Sequence, residues 1–301
     1  MARVTTVSIR RVGIIANPVS GLGRSARVLP ALERELSRSG IEAEVCLTER
    51  SGHAGELAAR FLGRADAVVA VGGDGTINEV LNGIARHDLP FAVFPTGTAN
   101  VLAKEFRLPH TVRDFVRMVR HGRIRIIDTG VVNGKRFVLF AGIGLDARVT
   151  RILSHVRKST ISMLDYVLPT MKVVLEFRSP ELSLTVDGKR FAEGGSYCLI
   201  SNVRKYGGPF EISWQADPTD GLLDVVVTLG RRRIDMLRYF WASFVRRLRD
   251  HGDVLHARGK EVVVEARHEA PYQLDGDFAG TLPAVFIMQP RSLALVTPSD
   301  T

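Results

Sequence analysis

Residues 68–84, VVAVGGDGTINEVLNGI, restrict the fold more than any other stretch of the chain. A fully apolar strand signal (Ala67 to Val71) runs directly into Gly72-Gly73-Asp74-Gly75-Thr76, and the spacing after it predicts a helix over 76–84. A strand apolar on both faces must be covered on both, which is the situation in a parallel sheet flanked by helices. Glycines at the turn admit positive φ and bring backbone N–H groups close to a ligand. The following helix aims the positive end of its dipole at the same point, so the turn reads as an anion site. A carboxylate there, Asp74, is electrostatically unfavourable unless a cation bridges it, which points to Mg²⁺. The competing possibility is a tight strand-to-helix turn capped by Thr76.

The same alternation extends on both sides of this motif. Strand signals at 11–16, 41–47, 67–71 and 91–94 alternate with helical spacing at 25–39, 54–62 and 76–84. This predicts an α/β domain with a parallel sheet over residues 1–128. Near Asp128 the pattern changes to short strand-like runs at 129–132, 137–141, 181–186, 196–201, 222–229, 262–266 and 284–288, punctuated by Gly and Asp turns. An antiparallel β-sandwich over 129–289 follows, with helices at 145–172 and 231–250 and residues 290–301 returning to the first domain.

With 301 residues the chain can hold two such domains. No apolar run approaches the roughly 18–20 residues needed to span a bilayer, and the first eleven residues lack the apolar core of a signal peptide. The expected location is therefore cytoplasmic. Cys46 and Cys198, the two cysteines, read as thiols in a reducing compartment. A formal charge of +9 favours anionic partners such as nucleotides or anionic lipid. No nucleic-acid-binding module accompanies it.

Two further loops follow strands as the first does: Asn17-Pro18-Val19-Ser20-Gly21 and Pro95-Thr96-Gly97-Thr98-Ala99-Asn100. Strand order should open all three at the carboxyl ends of parallel strands, where open α/β sheets bind ligands. No Gly-Lys-Ser/Thr phosphate loop occurs. These motifs, together with Thr48, Gly52-His53-Ala54, Asn78-Glu79, Asn82-Gly83, the segment 141–147, the segment Ala216 to Asp224, and Leu274-Asp275-Gly276-Asp277, resemble the diacylglycerol kinase catalytic-domain family, which includes soluble bacterial lipid kinases. The resemblance spans nearly the whole chain in order.

That resemblance implies an ATP- and Mg²⁺-dependent lipid kinase, with diacylglycerol as the first expected acceptor. It places ATP on Asn17, Pro18, Val19, Ser20, Gly21, Thr48, Gly72, Gly73, Asp74, Gly75, Thr76, Ile77, Asn78 and Thr98. Asp74 would anchor the Mg²⁺ and water network. A structural Mg²⁺ would be held by the Asp217 carbonyl, the Asp220 carboxylate and the Leu222 carbonyl, the competing reading being an Asp-Gly turn. The catalytic base would lie in Asp275-Gly276-Asp277. Relatives usually carry Glu where Asp277 stands, and the shorter side chain makes Asp275 the preferred base. Val101 replaces an acid usual after the Asn of the 95–100 loop.

Residues 231–250 carry seven arginines and place Ile234, Leu237, Trp241, Phe244 and Leu248 on one helical stripe. Such a helix suits an anionic lipid interface, giving peripheral membrane association, or else packs its stripe on the core. Helix 145–172, with Ile152, Leu153, Met163, Leu164 and Leu168, is a second candidate acyl-chain lining. A homodimer is left open. The alternatives are a kinase of another lipid, a soluble-metabolite kinase such as an NAD kinase, and a non-catalytic nucleotide- or lipid-binding regulator.

Overall fold

The structure, a computed structural model, describes residues 8–84, 89–145, 147–148, 150–151, 179–207 and 210–299. The chain divides into two compact units, residues up to 127 with those from 291 on, and residues 128–290.

The first unit is α/β. Its strands β1 (Arg11–Ala16), β2 (Glu42–Leu47), β3 (Ala67–Gly72) and β4 (Phe91–Pro95) pair in parallel in the order β2-β1-β3-β4. Beyond β4 comes the end of the final strand β18 (Ala284–Thr297), with Leu295 opposite Phe91. Every residue of β3 and β4 is buried, as apolar runs covered on both faces must be. The helices are α1 (Ser20–Arg38), α2 (His53–Ala59), α3 (Asp74–Gly83), α4 (Val101–Glu105) and α5 (Val112–His121). The sequence reading did not mark α5, although its signals are present. The Thr111 hydroxyl accepts from the Asp114 N–H at 3.2 Å, and Phe115, Val116, Met118 and Val119 are buried behind that cap.

The chain leaves β1 toward β2 and returns to β3 on the opposite side of β1. A crevice therefore opens between the carboxyl ends of β1 and β3, the position where such sheets hold ligands. The register keeps these ends level: Ala16 lies opposite both Leu47 and Val71, and Gly72 opposite Pro95.

The second unit is an antiparallel sandwich. One sheet orders β14 (Val254–Gly259), β13 (Leu223–Thr228), β10 (Tyr197–Ser201), β7 (Phe140–Ile143), β16 (Pro271–Leu274) and β17 (Asp277–Thr281). The other runs from the start of β18 through β15 (Glu261–Ala266) and β8 (Leu182–Val186) to β9 (Lys189–Gly195). Phe137, Leu184, Val225, Val264, Tyr272 and Phe286 interlock in one core drawn from both sheets. Each such buried side chain contributes roughly 1.5–3 kcal/mol. Two short antiparallel strands, β11 (Lys205–Gly207) and β12 (Phe210–Glu211), pair outside both sheets.

Two elements differ from the sequence reading. The strand expected over 137–141 is split between β6 (Lys135–Phe137) and β7, because the N–H groups of Val138, Leu139 and Phe140 turn to the side chain of Asp275. The helix expected over 231–250 ends early: α6 spans Arg233–Phe244, and a 3₁₀ turn, Leu248–Asp250, follows. For the helix expected over 145–172, the described residues between 145 and 151 are helical. Ile152, Leu153, Met163, Leu164 and Leu168 lie outside the described residues.

Candidate active site

The crevice of the first unit gathers the three glycine loops. Gly97 and Gly73 pack backbone to backbone, since a Cβ on Gly97 would lie 2.6 Å from the Gly73 Cα. Gly21, at φ +59°, brings the 17–23 turn against the Thr96 carbonyl, only 1.8 Å from where its Cβ would sit. Short bonds tie the edge together: Asn17 N–H to the Val71 carbonyl (3.1 Å), Thr48 N–H to Ala16 (2.9 Å) and Thr96 N–H to Gly72 (2.9 Å). The topology thus assembles Asn17 to Gly21, Thr48, Gly72 to Asn78 and Thr98 at one sheet edge.

Helix α3 begins at Asp74, not at Thr76, and its N-cap is Gly73 in an extended conformation. Thr76 is therefore not the cap; it is buried within the first turn, against Gly72. A glycine cap has no side chain to take the first-turn N–H groups, so they suit phosphate oxygens. Glu79 of the same helix is structural: its carboxylate accepts from the Gly52 N–H (2.7 Å) and the Ala54 N–H (3.1 Å), capping α2.

Asp74 is half-buried and accepts from the Val101 N–H at 2.9 Å. Burial pushes its carboxyl above the ordinary range, opposed by the N–H groups of Val101, Leu102 and Asn100 and by the charge of Lys104. The start of α4 thus supports this anion. The Val101 side chain is buried, so this residue contributes to the site through its backbone.

In the second unit Asp275 and Gly276, at φ +49° and +98°, form the two-residue turn of the β16–β17 hairpin, with Leu274 opposite Asp277. Asp275 is 6% exposed. Its carboxylate accepts from the N–H groups of Val138 (2.9 Å), Leu139 (2.9 Å) and Phe140 (3.0 Å). This carboxylate, the one preferred as base from the sequence, anchors backbone, whereas Asp277, the other candidate, is exposed at the start of β17.

Residues 11–132 match the family described as "Diacylglycerol kinase catalytic domain". Residues 140–297 match "YegS C-terminal NAD kinase beta sandwich-like domain". This chain belongs to the diacylglycerol kinase catalytic-domain family. Among its relatives, the diacylglycerol kinase of Bacillus subtilis (strain 168) is 28% identical over 298 residues, covering 97% of this chain and 98% of the relative. That of Staphylococcus carnosus (strain TM300) is 25% identical over 294 residues, covering 97% and 96%. A crystal structure of a diacylglycerol kinase from Bacillus anthracis str. Sterne shares the fold, with a TM-score of 0.75 at 19% identity over 97% of this chain and 98% of that one.

Within this diacylglycerol kinase-family chain, the 217–222 loop, expected to hold a structural Mg²⁺ on two carbonyls and one carboxylate, has that carboxylate paired inside the protein. The Asp220 carboxylate accepts from the Leu222 N–H (3.0 Å) and pairs with the Arg258 guanidinium, a cation already in place. Arg258 also reaches the fully buried Asp224 (3.2 Å), which His256 holds at 2.8 Å. The Asp217 carboxylate serves Thr219, at 3.0 Å to its N–H and 2.7 Å to its hydroxyl. Asp217, Asp220 and Leu222 thus form an arginine-braced turn.

Asp128 is the residue that sequence reasoning missed. Buried to 1% exposure, it accepts the Gly221 N–H at 2.7 Å and fixes this turn from 93 residues away. The available signal was an acid inside the apolar strand β5 (Arg123–Val132). The same unit contains an apolar cavity of about 180 Å³, lined by Leu145, Tyr197, Tyr206, Phe210, Val226 and Met236 among others.

Proposed function

We propose that this protein transfers the γ-phosphoryl group of ATP to a lipid hydroxyl, with diacylglycerol as the first candidate acceptor. The observation that carries the lipid half is the apolar cavity in the second unit, whose walls are aromatic and aliphatic side chains. At about 180 Å³ it is smaller than the roughly 300–1,000 Å³ of drug-sized sites, a size suited to part of an acyl chain. An NAD-type acceptor would ask for polar partners there.

The nucleotide half rests on the cradle formed by the 17–23, 72–76 and 95–100 loops and on the side-chain-free cap of α3. Their N–H groups orient the phosphates, and Asp74 supplies a carboxylate for the cation that accompanies them. When bound, Mg²⁺ would screen charge on the phosphates. Asp277, exposed on β17, takes the proton of the acceptor hydroxyl as its oxygen bonds to the γ-phosphorus and ADP leaves. Asp275 shapes the hairpin that presents Asp277.

Purified protein incubated with labelled ATP and Mg²⁺ should label diacylglycerol in a lipid extract, giving phosphatidic acid, and leave NAD unlabelled. Label in NAD with none in any lipid would refute the proposal.

A further inference from the structure

Helix α6 presents its more apolar side to solvent. Ile234 (64%), Leu237 (54%), Trp241 (63%) and Phe244 (45%) are exposed at helical spacing, and Phe240 and Val245 extend the patch. Met236, Tyr239, Ala242 and Ser243 face inward instead, and Met236, Tyr239, Phe240 and Ser243 line the apolar cavity. The core-packing possibility for the 234/237/241/244 stripe is therefore overturned; of the residues named on it, Leu248 alone is buried.

The helix is held in this orientation. The Tyr239 hydroxyl donates to Asp253 (2.6 Å) and accepts from the Gly230 N–H (2.8 Å). Burial, then Asp253, pushes this phenol up to about 12, so it remains a neutral donor. Outside, Trp241 stacks on Phe244 with centroids 5.6 Å apart.

We infer that the outer face of α6 docks on an anionic lipid bilayer, so that one helix lies on the membrane and walls the acyl-chain cavity. Contiguous exposed apolar surface marks an interaction site, and the surrounding charge selects the partner. Residues 231–250 hold seven arginines against two aspartates, a net +5. Arg232, Arg233 and Arg247 are exposed and in no ion pair with any described residue. A second copy of the chain would bring these arginines against their own kind. A surface of anionic headgroups over acyl chains meets both the charge and the aromatic stripe. The link to the cavity rests on the lipid-kinase proposal; the docking itself does not.

The test is sedimentation with vesicles, without ATP, of phosphatidylcholine alone and of phosphatidylcholine with phosphatidylglycerol in equal parts. The protein should pellet with the anionic vesicles and stay in solution with the neutral ones. Ile234→Gln/Trp241→Gln should lower the partition coefficient on the order of tenfold. Arg232→Gln/Arg233→Gln/Arg247→Gln should lower it on the order of a hundredfold. Partition indifferent to vesicle charge, or variants that bind like the parent, would overturn the inference. So would a dimer in sedimentation equilibrium that the Ile234/Trp241 variant splits. On a water-soluble short-chain diacylglycerol both variants should turn over normally while failing on vesicles; equal loss on both acceptors would refute the docking role. A parent protein that binds anionic vesicles but phosphorylates no lipid would refute the kinase proposal and leave the docking surface standing.

Discussion

Replacing Asp275 by Asn separates anchoring from chemistry at the β16–β17 hairpin. The wild-type carboxylate takes the Leu139 and Phe140 N–H groups on Oδ1 and the Val138 N–H on Oδ2. Asn can keep the first pair, but its amide nitrogen must then face the Val138 N–H, donor against donor. The change removes one charge-assisted bond of about 1.5–3 kcal/mol and leaves buried donors unmet at about 1–3 kcal/mol more. A total of about 4 kcal/mol, at about 3 °C per kcal/mol for a unit of this size, lowers Tm by roughly 12 °C. Asp277→Asn, at an exposed position, should shift stability by less than about 0.5 kcal/mol while turnover falls on the order of a hundredfold or more. Thermal melts followed by circular dichroism, with phosphoryl transfer measured well below either Tm, give both readouts. An Asp275→Asn protein that melts with the parent yet has lost turnover would refute the anchoring role and return the proton to Asp275.

Two other substitutions test the charged sites. Arg258→Met removes the brace on Asp220 and a partner of buried Asp224, and the buried charge left behind should cost about 3 kcal/mol or more. Millimolar Mg²⁺ should not restore the lost Tm; restoration by Mg²⁺, in the absence of nucleotide, would place a cation site in the 217–222 turn. Asp74, whose carboxyl is raised by burial, penalises the folded state when charged. That penalty is present above its folded pKa and fades as pH falls toward the ordinary carboxylate range. Asp74→Asn should therefore melt above the parent at pH 7.5 without nucleotide, with the gain vanishing by about pH 4. A variant that melts lower at pH 7.5 would contradict the assignment.

Residues 8–127 were legible because a parallel sheet writes itself locally. Each strand is an apolar run, each loop follows a strand end, and the level register sends those loops to one edge. What was hidden depends on partners distant in sequence. The break at Val138 and Leu139 is set by Asp275, and the 217–222 turn by Asp128 and Arg258. No local pattern reports such pairings. Helix α6 shows a different limit: its periodicity gave four of the five stripe residues but not the side on which the core lay. The buried side carries Tyr239 and Ser243, held by the cavity and by Asp253, and is the less apolar of the two. For the acid pair, side-chain length favoured Asp275, and nothing in the sequence signals that three N–H donors from residues 138–140 hold its buried carboxylate.

The last strand, β18, bears on synthesis as well as on architecture. Residues 284–290 pack in the sandwich unit, while 291–297 belong to the α/β unit, where Leu295 pairs with Phe91. On the ribosome, β4 therefore emerges some two hundred residues ahead of the strand that covers its edge. A nascent chain halted anywhere before residue 291 holds β1 to β4 with that hydrogen-bonding edge open to any passing strand. Translational pauses and C-terminal deletions in this protein thus bear first on the solubility of its N-terminal unit, far from the lesion in sequence.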